Sequence, residues 1–286
     1  MADIRPMNFG EILDASLTIY RRHFGLFLKL AAVSLSIPVL LFVYLAARSL
    51  GSLMTQTPNL QAVLLLVPIF ILYYVASLVL TAGTVRIISD SYLGRSPRLQ
   101  DALALGISKI GSLFAVGLGK GIILFLVFVA IGIVVATLAA LAKGLGTVAV
   151  LLLLLACGVG AWLAAFVACG YGVTTPVVVL EALGSSFDAF GRSWELTRDF
   201  KLKVLGLGLV AILLTNTIPS VVFQTIGSAV TPSLPALGIT LTALGYLLPL
   251  VLAPVLAAVI TLMYYDLRVR REAFDLQVLG RQLGIL

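Results

Sequence analysis

The chain contains very long stretches without a single charged residue, and the longest runs from Val204 to Tyr265. Others cover residues 30–47, 49–85, 121–142 and 144–180. About 20 consecutive apolar residues cross the hydrocarbon core of a bilayer as a helix, so the longest stretches hold more than one crossing. Of all residues, 61% are hydrophobic and only 11% are charged, far from the range of soluble globular domains. The sequence therefore predicts a polytopic membrane protein.

Six transmembrane helices account for these stretches. We place them at about 26–47, 61–85, 114–141, 147–173, 204–223 and 239–264. The prediction is an all-α fold in which residues 1–286 form a single membrane domain.

An Asp-Ala pair recurs at a fixed interval, at Asp14, Asp101 and Asp188, each 87 residues after the one before. A fixed internal period defines a building unit. We expect three copies of one helical hairpin, at about 8–94, 95–181 and 182–268, followed by a cytoplasmic tail over 269–286. Each copy begins with a short amphipathic helix at the membrane surface. With two crossings per unit, the copies enter from the same side.

The repeated aspartates have two structural interpretations. A carboxylate near a helix N-terminus is favoured by about 0.3 to 1 kcal/mol. Alternatively, Asp14, Asp101 and Asp188 each accept hydrogen bonds or an arginine from the neighbouring repeat, as Arg192 could provide. A role in conduction or proton handling stays open as a third interpretation.

The net charge of +7 is distributed unevenly. Arg48 and Lys143 lie in the predicted turns within hairpins, whereas the other Lys and Arg residues lie outside the hairpins or in the first turns of entering helices. Because positive residues stay on the cytoplasmic side during insertion, we expect both termini in the cytoplasm. The basic surplus indicates topology and contact with anionic lipids, not a nucleic-acid partner.

The inventory of reactive residues argues against catalysis. There is one histidine, His23, and the two cysteines, Cys157 and Cys169, lie too far apart along one predicted helix for a disulfide. We find no metal-binding spacing, phosphate loop or nucleophile-base pattern. We therefore expect no enzyme activity, no catalytic residues, no metal and no cofactor.

The polar residues of the membrane interior group in the fifth predicted helix, as Thr215, Asn216 and Thr217 before Pro219. Proline leaves the carbonyl of Thr215 without its helical donor, which a nearby amide or hydroxyl can replace. The group is interpreted as a hydrogen bond to a neighbouring helix or as an intramembrane ligand site.

The last predicted helix continues into a charged segment. Tyr264 and Tyr265 are expected at the membrane interface. The residues that follow them carry both negative and positive charges and are expected to form a docking surface. Asp266 and Arg270 are four residues apart, as are Arg268 and Glu272, so both can pair on a continuing helix. The segment is expected to dock onto the cytoplasmic ends of the other repeats or onto a partner protein. Its members are Asp266, Arg268, Arg270, Arg271 and Glu272.

Three parts of the sequence carry a resemblance to a known family. They are the tail from Tyr264 to Leu276, the head from Phe9 to Arg22, and a middle group of Thr175, Pro176, Glu181, Ala189, Arg192, Ser193, Leu196 and Thr197. Together they resemble the membrane domain attached to some bacterial glycerophosphoryl diester phosphodiesterases, which also occurs alone in bacterial membrane proteins. The resemblance covers nearly the whole chain and implies the bacterial inner membrane. Esterase activity in that family belongs to a separate barrel, which we expect to be absent here.

We expect a non-catalytic accessory or scaffold subunit that binds membrane lipids, or a membrane or cytoplasmic protein partner, at its cytoplasmic face. The alternative is a transporter or lipid-handling channel that uses the interface between repeats. A carrier requires a closed-off polar cavity reached by Asn216, whereas a scaffold requires a packed interior and an exposed charged patch.

Overall fold

The computed structural model describes residues 5–54, 60–141 and 147–273. Within these ranges it has six helical segments that are long and apolar enough to cross a membrane. They are Phe9–Leu45, Leu66–Tyr92, Ile110–Leu141, Thr147–Leu180, Lys201–Val230 and Pro235–Glu272. The all-helical fold with six candidate spans is therefore confirmed. Most of the predicted tail, residues 274–286, lies outside the described residues.

The helices follow one another with short connections. In chain order they are α1 (Phe9–Met54), α2 (Leu60–Tyr92), α3 (Leu99–Ser108), α4 (Ile110–Leu141), α5 (Thr147–Gly170), α6 (Thr174–Leu180), α7 (Asp188–Thr197), α8 (Lys201–Ile212), α9 (Ile218–Val230) and α10 (Pro235–Glu272). A π-helical turn, Leu213–Thr217, joins α8 to α9.

Short helices precede two of the spans, as α3 before α4 and α7 before α8. The segment before the first span is different, because it belongs to α1 and is not a separate short helix. A single non-helical residue, His23 (φ −114°, ψ 19°), kinks α1 and separates residues 9–22 from the apolar part that follows.

The buried core lies at one end of the bundle, which we call the charged end. Its residues come from the beginnings of α1, α4 and α8 and the ends of α2, α5 and α10, with α3, α6 and α7 packed among them. Towards the other end the helices expose large apolar side chains such as Leu40, Phe128 and Leu154. In a bilayer such side chains contact lipid hydrocarbon, so the spans need little burial against one another.

The last helix is the central element of the charged end. At 1.5 Å per residue, its 38 residues span about 57 Å, well beyond the roughly 30 Å of a hydrocarbon core. Nearly every residue from Val255 to Val269 is buried or partly buried, and Tyr264 and Tyr265 are 0% and 3% exposed. These tyrosines are core residues, because the other helices surround this part of α10.

The helices α1 and α2, α4 and α5, and α9 and α10 pack against each other. The α9–α10 contact brings the two backbones together at Gly227 and Gly238. A Cβ atom on Gly238 would lie 2.5 Å from the Cα atom of Thr231, and one on Gly227 would lie 2.7 Å from the backbone nitrogen of Thr242. Glycine is therefore required where these helices cross, as at many close helix contacts in membranes.

Candidate functional site: the charged end of the bundle

Asp266, completely buried near the end of α10, is the centre of a first ion-pair cluster. Its carboxylate accepts hydrogen bonds from the Met7 backbone N–H at 2.7 Å, Lys203 Nζ at 2.5 Å and Arg270 Nε at 3.1 Å. Lys203 and Arg270 also donate to the Met7 carbonyl oxygen, at 2.8 and 3.0 Å. This Asp266 cluster joins the segment before α1, the start of α8 and the end of α10.

A second cluster surrounds Glu181, the residue that follows α6. Its carboxylate accepts hydrogen bonds from Arg192 Nε at 3.1 Å and from the Tyr264 hydroxyl at 2.9 Å. The same hydroxyl accepts a hydrogen bond from Arg268 at 3.1 Å, and Arg268 pairs with Glu272 at 2.9 Å. Arg192 also donates to Glu272. This Glu181 cluster ties α7 and the end of α6 to α10.

Arg192 joins helices through Glu181 and Glu272, and not through one of the repeated aspartates. Burial alone would lower the pKa of its guanidinium, but hydrogen bonds and charges from Glu181 and Glu272 outweigh that effect and raise the pKa. Arg192 therefore stays charged at physiological pH, which favours its contacts with Glu181 and Glu272.

The expected docking surface is turned inward. Asp266–Arg270 and Arg268–Glu272 form the two pairs at four-residue spacing, and Arg271 donates to Asp199 in the α7–α8 connection. The side chains of Arg268, Arg270 and Arg271 are 18%, 29% and 23% exposed. The end of α10 is thus docked onto other helices of the same chain, and a partner protein would have to compete with these contacts.

The repeated aspartates lie apart from both clusters. Asp14, Asp101 and Asp188 are all exposed. Asp188 accepts a hydrogen bond from the Ser185 backbone N–H at 2.8 Å, which is a local contact at the start of α7. The side chains of Asp14 and Asp101 form no hydrogen bond or ion pair in the described part of the chain. The structure does not bring the three together or use them to hold helices to one another.

The alanines that follow the aspartates are the buried members of each pair. Ala102 and Ala189 are completely buried, and Ala15 packs partly buried against the core. A small side chain at this position lets the short helix approach the bundle closely, while the aspartate on the outer side faces away. The alanine of each Asp-Ala pair thus makes a packing contact with the bundle.

The polar group of the fifth span lies at the π-helical turn. Pro219 has no N–H to donate to the Thr215 carbonyl oxygen. The helical hydrogen-bond pattern changes at this point, and the Ile218 N–H donates to the Leu213 carbonyl oxygen, five residues earlier. Thr215 is buried and its hydroxyl donates to the Ala211 carbonyl at 2.7 Å, whereas Asn216 and Thr217 are exposed. The largest crevices described, between α1 and α2 and between α4 and α5, are apolar and do not include this group.

Sequence reasoning missed Lys203, which supplies the counter-charge of Asp266 from 63 residues away. No local pattern could have paired them. A second missed pair, Arg86 Nε with Asp90 at 2.9 Å, has the four-residue helical spacing and could have been found. Asp90 is buried at the end of α2, next to Ser89, whose hydroxyl is hydrogen-bonded to that of Tyr265 at 2.6 Å.

The described residues include no group of three or more His, Cys, Asp or Glu side chains that could hold a metal ion. In comparisons with known proteins, no family model, no curated protein and no solved structure matches this chain.

Replacing Tyr264 by phenylalanine is expected to lower the free energy of unfolding by about 1 to 3 kcal/mol, because it removes one donor to Glu181 and one acceptor from Arg268 inside the core. Tyr246→Phe is the matched control, since Tyr246 is 67% exposed on the same helix. Unfolding of detergent-solubilised protein, followed by circular dichroism, measures both. Equal effects would show that the Glu181 cluster does not depend on the hydroxyl.

Proposed function

We propose that this chain is a non-catalytic accessory or scaffold subunit of the bacterial inner membrane, with the charged end in the cytoplasm as its binding surface for lipid or a partner protein. The proposal includes three repeated hairpins, each introduced by a short surface helix, and membership of the membrane-domain family that the sequence resembles. The positions of Lys and Arg support the cytoplasmic orientation.

Two glycines at the repeat spacing support the three-hairpin interpretation. A Cβ atom on Gly83 of α2 would lie 2.9 Å from the Leu30 side chain and 3.2 Å from the Ala102 carbonyl oxygen of α3. A Cβ atom on Gly170 of α5, 87 residues later, would meet the Trp194 ring of α7. In both places a glycine lies against a short helix that carries an Asp-Ala pair near its start.

One observation carries the proposed binding role, namely uncompensated positive charge at the charged end. The arginines of the α10 tail pair within the chain, but six other cations are exposed and have no acidic partner among the described residues. In the described part of the chain, three exposed carboxylates have no cationic partner, namely Asp14, Asp101 and Asp188. This surplus of exposed positive charge favours the binding of an anionic ligand. The six cations are Arg21, Arg22, Lys29, Arg95, Arg98 and Arg198.

The alternative function, a transporter or lipid-handling channel between the repeats, is favoured by one observation. The π-helical turn places the exposed Asn216 amide in the middle of a candidate span, and π-turns within helices are frequent at functional sites. A carrier would be expected to hold a small polar ligand at this amide.

Extraction into native lipid discs, followed by mass spectrometry of proteins and lipids, tests the proposal. A six-span protein of unrelated sequence, prepared identically, is the control. A stoichiometric protein partner or an enriched anionic lipid supports the accessory role. A single enriched small molecule, lost in an Asn216→Leu variant, would overturn it in favour of the carrier.

A further inference from the structure

The Asn216 amide lies near the middle of the fifth candidate span, Lys201–Val230. At 1.5 Å per residue, about 20 Å of helix separate it from each end of the span, which places it near the centre of a hydrocarbon core roughly 30 Å thick. Its side chain is exposed and forms no hydrogen bond in the described part of the chain.

The surface around Asn216 is exposed as well. Ile212 and Leu213, one turn before it, are 48% and 38% exposed, and Val221 after it is 58% exposed. None of the crevices found between the described helices is lined by Asn216. In a single copy of the chain, the amide therefore faces lipid and not a cavity.

An amide in this position lacks the partners that its chemistry requires. The Asn216 side chain has two N–H donors and a carbonyl acceptor, and lipid hydrocarbon can bond to none of them. In membranes, asparagine side chains typically find their partners on other helices. Because the described helices of the same chain supply no such partner, we look for it on another molecule.

We infer that two copies of this chain associate through the exposed face of the fifth span, with their Asn216 amides hydrogen-bonded to each other. Copies of one sequence insert with the same orientation, so a two-fold axis along the membrane normal relates them and places both amides at the same depth. Each amide can then donate an N–H to the carbonyl oxygen of the other.

A second copy is a better partner than the alternatives. A lipid acyl chain offers no polar group at this depth, and a membrane protein of different sequence would need a polar side chain that happens to match. A second copy supplies the matching group by symmetry. The inference does not rest on the proposed function, which concerns the charged end.

Energy transfer between copies of the full chain, labelled at the N-terminus with donor or acceptor dyes, tests the inference in phosphatidylcholine vesicles over a range of protein-to-lipid ratios. The wild type should associate, and Asn216→Leu should weaken association roughly tenfold or more, because it keeps the bulk of the side chain but removes both hydrogen bonds. Asn216→Gln keeps the amide and should retain most of the association.

Thr137→Val is the matched control. Thr137 is exposed on another span, but its hydroxyl is already hydrogen-bonded to the carbonyl oxygens of Ile133 and Val134, so its removal should leave association unchanged. Asn216→Leu should not lower the thermal stability of the monomer in detergent, since the amide makes no hydrogen bond within the described chain. This second measurement separates a loss of association from a loss of fold.

A monomeric wild type, or an Asn216→Leu variant that associates as tightly as the wild type, would overturn the inference. A small polar molecule that is bound to monomeric wild type and lost in Asn216→Leu would overturn it in favour of the carrier. A different membrane protein that binds the monomer and is lost in the same variant would also overturn it, yet would leave the proposed role of the charged end intact.

Discussion

Asp266→Asn is expected to lower the free energy of unfolding by about 3 to 5 kcal/mol, because it leaves Lys203 and Arg270 beside each other without the carboxylate that neutralises them. The Asp266 side chain is 0% exposed, so solvent screens little of this effect. Unfolding of the protein in mixed detergent micelles, followed by circular dichroism, measures the loss. Asp101→Asn removes an exposed carboxylate in the first turn of α3 and is the matched control, with an expected effect of at most about 1 kcal/mol.

A second substitution separates the ion pair from the general loss of a buried polar group. Lys203→Met in the Asp266→Asn background removes the unpaired ammonium and should recover part of the lost stability, since a removed pair costs less than a broken one. Additive losses in the double variant would show that Lys203 and Asp266 act independently.

Gly238→Val should lower stability by about 3 kcal/mol or more, because the new side chain would overlap the Thr231 backbone, which no rotamer change can relieve. The α9 and α10 helices would have to separate, and they hold the fifth and sixth candidate spans together. Gly132→Val is the control, since a Cβ atom at Gly132 meets nothing within 4 Å.

The same unfolding assay measures both glycine variants. A small effect of Gly238→Val, similar to that of Gly132→Val, would contradict the close crossing of the two helices. Gly238→Ala should fall between the wild type and the valine variant, because its single methyl group already lies within 2.5 Å of the Thr231 Cα atom.

The Asp-Ala pairs show how far a sequence pattern can be interpreted. Their recurrence predicts a position of structural importance, and the charge of the aspartate suggests an ion pair there. In the structure Ala102 and Ala189 are the buried residues, and Asp101 and Asp188 face outward. A repeat reveals which position is constrained, whereas the side of a helix that meets the bundle depends on its neighbours.

The tail of α10 likewise contains one feature that residue spacing predicts and one that depends on tertiary packing. Arg268 and Glu272 lie one turn apart on one helix, so their spacing alone predicts the pair. The sequence neighbours of Tyr264 predict an interfacial aromatic residue. In the structure its side chain is buried, and its hydroxyl is hydrogen-bonded to Glu181 and Arg268. Only packing of α6, α7 and α10 against each other could place it there.

The six apolar helices were determined by the sequence itself, because transfer of a segment into hydrocarbon depends on residues that are neighbours in the chain. Tertiary structure decided which charges are neutralised and which stay exposed. Asp266 and Lys203 meet across 63 residues, while Arg21 and Arg22 find no acidic partner in the described ranges. Electrostatic energy depends on distance in space, which composition and spacing along the chain do not contain.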